Sequence, residues 1–380
     1  MSDAMTDWWR EFEANASRID ALFKRRDEWN LPDWMHEHLG AVHPALMWEY
    51  GPAVKQPGHR LVITPEVRKD LRLLVRQLLA LAPELHGWEF YEYRLVEPFD
   101  EAMQTVEGRT GIDLRDVSVE ARRGDFGCID LRFISPRFDP EDAESHERSD
   151  ALQAVFIAAE SLLGEETLDR WIGTVDLAAE PASRGPDLVP LRQLRETVDA
   201  LITDIQDSLP HRPWHEADLG QGWTCLQLEP EEADEYAGQA DLFVGVTVYP
   251  NMIRNVLSST PFDSVRWSRF GERFCYLKID GLEGLAGSSF EDRGGIEDAV
   301  NDLLRTEKLG SAIGGGTGRR YSYIELAVMD VDAAWPMMRD VLRAGCLPIR
   351  TWLLFHDDDY AAEWRGLYEA TPEPPLPEFE

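Results

Sequence analysis

GGGTGRRYSYIELAVMD, residues 314–330, is the stretch from which the fold is read. From Arg319 onward, aromatic and aliphatic positions alternate with polar ones, the period of two that a half-buried strand shows. An amphipathic segment at 295–309 precedes it and another at 331–344 follows it, so the strand is set between two helices. The runs WTCLQLEP, DLFVGVTVYP, DSVRWSRF and RFCYLKIDG, all between 223 and 281, add strands, and LPIRTWLLFHD closes the series. Short strands interleaved with helices in this way predict an α+β fold, a mainly antiparallel sheet with helices packed on one face in the ferredoxin-like style. Gly314, Gly315, Gly316, Thr317 and Gly318 break both periods and read as a loop joining a helix to a strand.

The first half repeats the style. Trp8, Phe12, Ile19 and Leu22 have helical spacing within 5–27, and strand-like runs follow at 45–51 and 59–64. Thr64 and Pro65 read as the start of a helix whose stripe is Val67, Leu71, Leu74, Val75, Leu78 and Leu81. WEFYEYRLV at 88–96 alternates as a strand, and 116–121 with 126–135 form a hairpin across RRGDFG. A helix at 150–163 and a strand at 167–177 complete the half. The predicted organisation is an N-terminal α+β domain at 1–186, a helical connector at 187–221, a C-terminal α+β domain at 222–368 and a frayed tail, rich in Pro and Glu, at 369–380.

The chain has 380 residues, with 71 Asp and Glu against 38 Lys and Arg, a formal charge of −33. Roughly −15 falls on residues 1–185 and roughly −18 on 186–380, so the acidity belongs to a whole surface and not to one tail. Such a field repels nucleic acid and anionic lipid and attracts basic partners. The densest runs are Asp139 to Glu147 and Glu229 to Glu235, both read as solvated loops or helix starts. The N-terminus has neither a basic leader nor an apolar core, and no apolar run approaches the roughly 18 residues that span a bilayer, so a cytoplasmic protein is expected.

Several phrases carry a family resemblance. The WW-x-x-F helix at 8–12, HPALMWEYG at 43–51, APELHGWEFYEYR at 82–94, and the later FISPRFDPED and VFIAAESLLGEE resemble an uncharacterised bacterial family, a domain of unknown function. The resemblance covers about residues 7–180. It implies a cytoplasmic α+β protein and supplies no catalytic residues.

Candidate chemistry is sparse. The glycine run followed by Arg319 and Arg320 is the best ligand-site candidate, because loop amides beside two guanidiniums suit a phosphate or carboxylate. It lacks the order of a Walker loop or a dinucleotide fingerprint. His356, Asp357, Asp358 and Asp359 read as a helix start before as cation ligands. His36, His38 and His43 lack a metal spacing, and His211, His215, Glu216 and Asp218 lie in a loop without a nucleophile. Cys128, Cys225, Cys275 and Cys346 form no C-x-x-C pair and read as small buried hydrophobes. No metal or cofactor is expected. Trp8 and Trp9 are adjacent, so one of them is expected at an interface. These readings favour a non-catalytic, acidic inhibitor or immunity-like protein that masks a basic partner. The alternative is an enzyme binding a small molecule or phosphate through 314–320.

Overall fold

The computed structural model describes residues 2–138, 149–181, 188–281, 285 and 287–376. The acidic run from Asp139 to Glu147 and the expected boundary at Pro186 therefore lie outside the described residues. The architecture is α+β, with mostly antiparallel sheets. Two compact units share the chain: Met1–Leu114 with Gln153–Asp169, and Arg115–Leu152 with Arg170–Glu380.

The first unit opens with α1 (Ser2–Phe23) and α2 (Leu31–His38), the latter capped by Asn30, whose side chain accepts from the Asp33 amide at 3.3 Å. A three-stranded sheet follows from β1 (Met47–Pro52), β2 (His59–Thr64) and, beyond α3 (Arg72–Ala80), β3 (Trp88–Tyr91). β1 and β2 are antiparallel, whereas β3 joins β2 in parallel. Helix α4 (Phe99–Thr110) comes next, a segment in which sequence periodicity found no element. Thr64 does not start a helix: its hydroxyl accepts from the Glu66 amide at 3.0 Å in a turn, and Val67 is left exposed.

Trp8 and Trp9 are 1% and 4% exposed in one hydrophobic core, which corrects the expected interface. Neighbouring helical positions diverge by roughly 100°, but α1 is covered over more than that arc. Trp8 packs on Trp34 of α2, while Trp9 packs edge-on to Phe90 of β3 and donates Nε1–H to Leu78 O at 2.6 Å. The unit also encloses a charge. Arg72 is fully buried, donating to Thr64 Oγ1 at 3.1 Å, Glu92 O at 3.0 Å and Glu165 Oε1 at 2.8 Å, and pairing with Asp169. Its two carboxylate partners come from α6 (Glu165–Trp171), which follows α5 (Asp150–Leu163).

The second unit holds two sheets. Strands β4 (Ser118–Arg123), β5 (Ile129–Ile134), β6 (Ile172–Ala178) and β7 (Leu188–Pro190) make one, in the order β6-β5-β4-β7. The hairpin expected across RRGDFG joins β4 to β5, with Phe126 and Gly127 at φ 54° and 73°. Residues read as a connector supply both β7 and α7 (Leu194–Asp207), which packs along β4.

The larger sheet has seven antiparallel strands. In chain order they are β8 (Thr224–Gln227), β9 (Leu242–Thr247), β10 (Arg273–Asp280), β11 (Gly310–Gly318), β12 (Tyr321–Val328), β13 (Thr351–Phe355) and β14 (Trp364–Gly366). Their spatial order is β14-β13-β10-β12-β11-β9-β8. Helices α8 (Pro250–Val256), α9 (Arg293–Thr306) and α10 (Val331–Ala344) are interspersed. Alternation sorts the sheet's side chains: Cys275, Leu277, Ile324, Leu326 and Leu353 pack on Ile296 and Val300 of α9 and Trp335 and Met338 of α10. Tyr276, Tyr321, Tyr323, Trp352 and Leu354 form a cluster of their own with Tyr236 and Leu242. DSVRWSRF is no strand: a single 3-10 turn at Ser264–Arg266 accounts for its apparent alternation.

The glycine run is strand, not loop. Gly314, Gly315, Gly316 and Gly318 are buried in β11, between β9 and β12. Each lacks a side chain because another group occupies the space. A Cβ on Gly315 would stand 2.1 Å from Arg293 Nη1, on Gly316 2.3 Å from Leu242 Cδ1, and on Gly318 2.2 Å from the Asp241 carboxylate.

Candidate functional site

Arg319 and Arg320 lie in the tight connection from β11 to β12, which Asp241 organises. That carboxylate is fully buried and accepts from the Arg320 amide at 2.8 Å, the Tyr321 amide at 2.9 Å and the Tyr323 hydroxyl. The guanidiniums do not face an empty cradle. Arg320 pairs with Asp280 at 2.9 Å and Glu235 at 3.3 Å, and Arg350 reaches the same two carboxylates at 3.0 and 2.6 Å. Arg319 Nε donates to Pro230 O at 3.2 Å. The anion expected at this place is thus met by the chain's own acidic segment.

That segment, 228–241, crosses the sheet as an anchored loop. Glu235 is its clamp, accepting from the Tyr321 hydroxyl at 2.5 Å as well as from the two arginines. Burial pushes the Glu235 carboxyl up, but the Tyr321 hydroxyl, the Tyr236 amide and both guanidiniums outweigh it and hold the carboxyl below its ordinary range. The Tyr321 hydroxyl is pushed up to about 12 by burial and by Glu235. Lys278 of β10 is fully buried under the loop, donates to Tyr236 O, and lies 4.2 Å from the centre of the Tyr321 ring. Burial brings its ammonium down to about 8. The Ala233 amide donates to Tyr236 Oη at 3.1 Å, and Gln239 Nε2 donates to Glu325. Glu229, Glu231, Glu232 and Asp234 remain exposed.

No family model, curated protein or solved structure matches this chain. Its chemistry is accordingly read from its own geometry.

The other sequence candidates are placed as follows. Asp357 does not cap a helix: it accepts from the Ser264 amide at 2.7 Å and hydroxyl at 2.6 Å and pairs with Arg273 at 3.1 Å, fixing the turn before β10. Residues after it form a 3-10 turn, Asp358–Tyr360, and then β14. His36 and His38 end α2, and among the described residues no group of three or more His, Cys, Asp or Glu is arranged to hold a metal ion. His211 meets Arg269 at 2.9 Å and His215 meets Glu216 at 3.7 Å, beside the buried Trp214. Cys128 and Cys275 are buried as expected, but Cys225 and Cys346 are exposed. Cys225 alternates outward on the edge strand β8, and Cys346 takes the left-handed turn at φ 56° after α10. No helix of the described residues is long and apolar enough to cross a membrane.

Sequence reasoning found the acidic run and the two arginines separately. It missed that they meet, and it missed Lys278, Asp241 and Arg350. Lys278 carried an available signal, a cation at an inward position of the alternating run RFCYLKIDG.

Proposed function

We propose that this chain is a non-catalytic binding protein that presents the anchored loop 228–241 to a basic protein, in the manner of an inhibitor or immunity partner. One observation carries the reading: within the acidic run Glu235 is held by Arg320, Arg350 and Tyr321, while Glu229, Glu231, Glu232 and Asp234 stand exposed on the loop it fixes. A loop ordered before binding loses less conformational freedom on association. The overall charge of −33 would steer a cationic partner, raising the on-rate at low salt. The enzyme alternative finds both guanidiniums engaged and the glycines buried, so it is not carried forward. In this reading the protein works in the cytoplasm, and its four free thiols suit a reducing compartment.

The test compares the wild-type chain with a quadruple variant, Glu229→Gln, Glu231→Gln, Glu232→Gln and Asp234→Asn, as baits in the source lysate. A stoichiometric basic protein retained at low salt, released at moderate salt and lost with the variant is expected. Recovery of chaperones alone, or equal capture by both baits, would overturn the proposal.

A further inference from the structure

Beyond the acidic loop, the second unit holds a cavity of about 340 Å³ whose lining includes Gln239, Tyr276, His356 and Glu363. Its polar groups are biased in one direction by a buried carboxylate at its base. Glu325 accepts from His356 Nε2 at 2.7 Å and from Gln239 Nε2. One N–H of each residue is therefore taken up by that carboxylate. The other ring nitrogen, Nδ1, has no hydrogen-bond partner among the described residues. The same carboxylate settles the amide orientation of Gln239, because a flipped amide would set oxygen against oxygen. Gln239 Oε1 is consequently buried with no partner among the described residues.

Tyr276 contributes a ring and a hydroxyl to the same wall. It is 5% exposed, its ring stacks on His356 at 4.7 Å and 23°, and its hydroxyl has no hydrogen bond among the described residues. The hydroxyl lies at the cavity wall, 3.8 Å from the position a Cβ would take on Gly238, itself a lining residue. Glu363 adds a carboxylate at the same cavity. The lining thus carries two carboxylates, Glu363 and Asp358, and neither lysine nor arginine. Leu257, Leu354 and Leu376 supply apolar wall.

We propose that this cavity binds an organic cation with an aliphatic stem, a guanidinium or a primary ammonium. Such a group sets a charged donor against the two carboxylates, and its methylenes suit the leucines. The chemistry can be delivered by a free amine or by an arginine or lysine side chain. Gly238, Gln239 and Ala240 at the end of the loop line the cavity, but none of Glu229, Glu231, Glu232 and Asp234 does, so the two proposals can fail separately.

Calorimetric titration of the full chain decides it, with n-butylguanidine and n-butylamine as probes and n-butylurea as the uncharged isostere of the first. Saturable binding of a cation is expected, with n-butylurea silent. Glu363→Gln should weaken binding about tenfold by loss of its charge, and Tyr276→Phe several-fold by loss of the hydroxyl. Thermal unfolding run in parallel establishes that both variants are folded. The quadruple loop variant should bind n-butylguanidine unchanged, which separates failure here from failure of the docking proposal. Blocked N-acetyl-arginine methylamide distinguishes the sources: tighter binding than the free probes assigns a protein side chain, and weaker binding assigns a small molecule. No saturable binding of either cation, equal binding of n-butylurea, or indifference to both substitutions would overturn the inference.

Discussion

Replacing Lys278 with methionine tests the description of the buried face directly. Lys278 is fully buried, its only direct bond is to the Tyr236 carbonyl, and it makes no ion pair among the described residues. Burial lowers its ammonium from the ordinary 10.5 to about 8. Between those values the unfolded chain holds a proton that the folded chain has released, so unfolding free energy rises with pH. The cost of enclosing the charge is complete below pH 8 and is relieved as pH climbs towards 10.5. Across the whole window this amounts to about 3 kcal/mol. About 2 kcal/mol of it should appear between roughly pH 7.5 and 9.5, before unfolded tyrosines ionise near 10. Urea unfolding followed by tryptophan fluorescence at the two pH values, on wild type and Lys278→Met, isolates the contribution. The wild type should gain about 2 kcal/mol relative to the variant. Parallel pH profiles would refute the claim that burial of this lysine outweighs the nearby carboxylates of Asp241 and Glu235.

Three further outcomes follow from packing. Arg72→Met should cost about 3–5 kcal/mol in urea unfolding, because it leaves Glu165 and Asp169 without their buried partner; a loss below about 1 kcal/mol would show the pair to be solvated. Trp8→Ala should cost about 3–5 kcal/mol, whereas a tryptophan reserved for an interface would leave the isolated chain's stability unchanged. Gly315→Ala should lower stability by about 1–3 kcal/mol, since the new methyl meets both Arg293 and the Tyr323 carbonyl, the latter 2.7 Å away; an unchanged midpoint would contradict the tight packing of β11.

Periodicity and β-rich composition revealed the strands HRLVIT, RFCYLKIDG and RRYSYIELAVMD, and the helices with long stripes, such as α10. It failed where the stripe is short or the punctuation misleads. Helix α4 buries only Ala102, Met103 and Val106 and contains Gly108, so its pattern is faint. The glycines of β11 resemble a loop because their reason for being glycine lies in Arg293, Leu242 and Asp241, which no local window includes. The candidate site suffers the same limit: Arg350 and Glu235 are 115 residues apart, and composition cannot show that one acidic side chain of a run is clamped by distant arginines.

The interleaving of the two units has a consequence during synthesis. Arg72 leaves the ribosome 93 residues before Glu165, and the strands β4 and β5 of the second unit emerge in that interval. At about 5–20 residues per second, the guanidinium waits roughly 5–20 s for its carboxylates. Until then the first unit has either to keep α3 open to water or to close over an unpaired cation. Its completion is therefore timed by delivery of 153–169, and a pause in translation near that segment would prolong the interval in which its aromatic core can meet other chains.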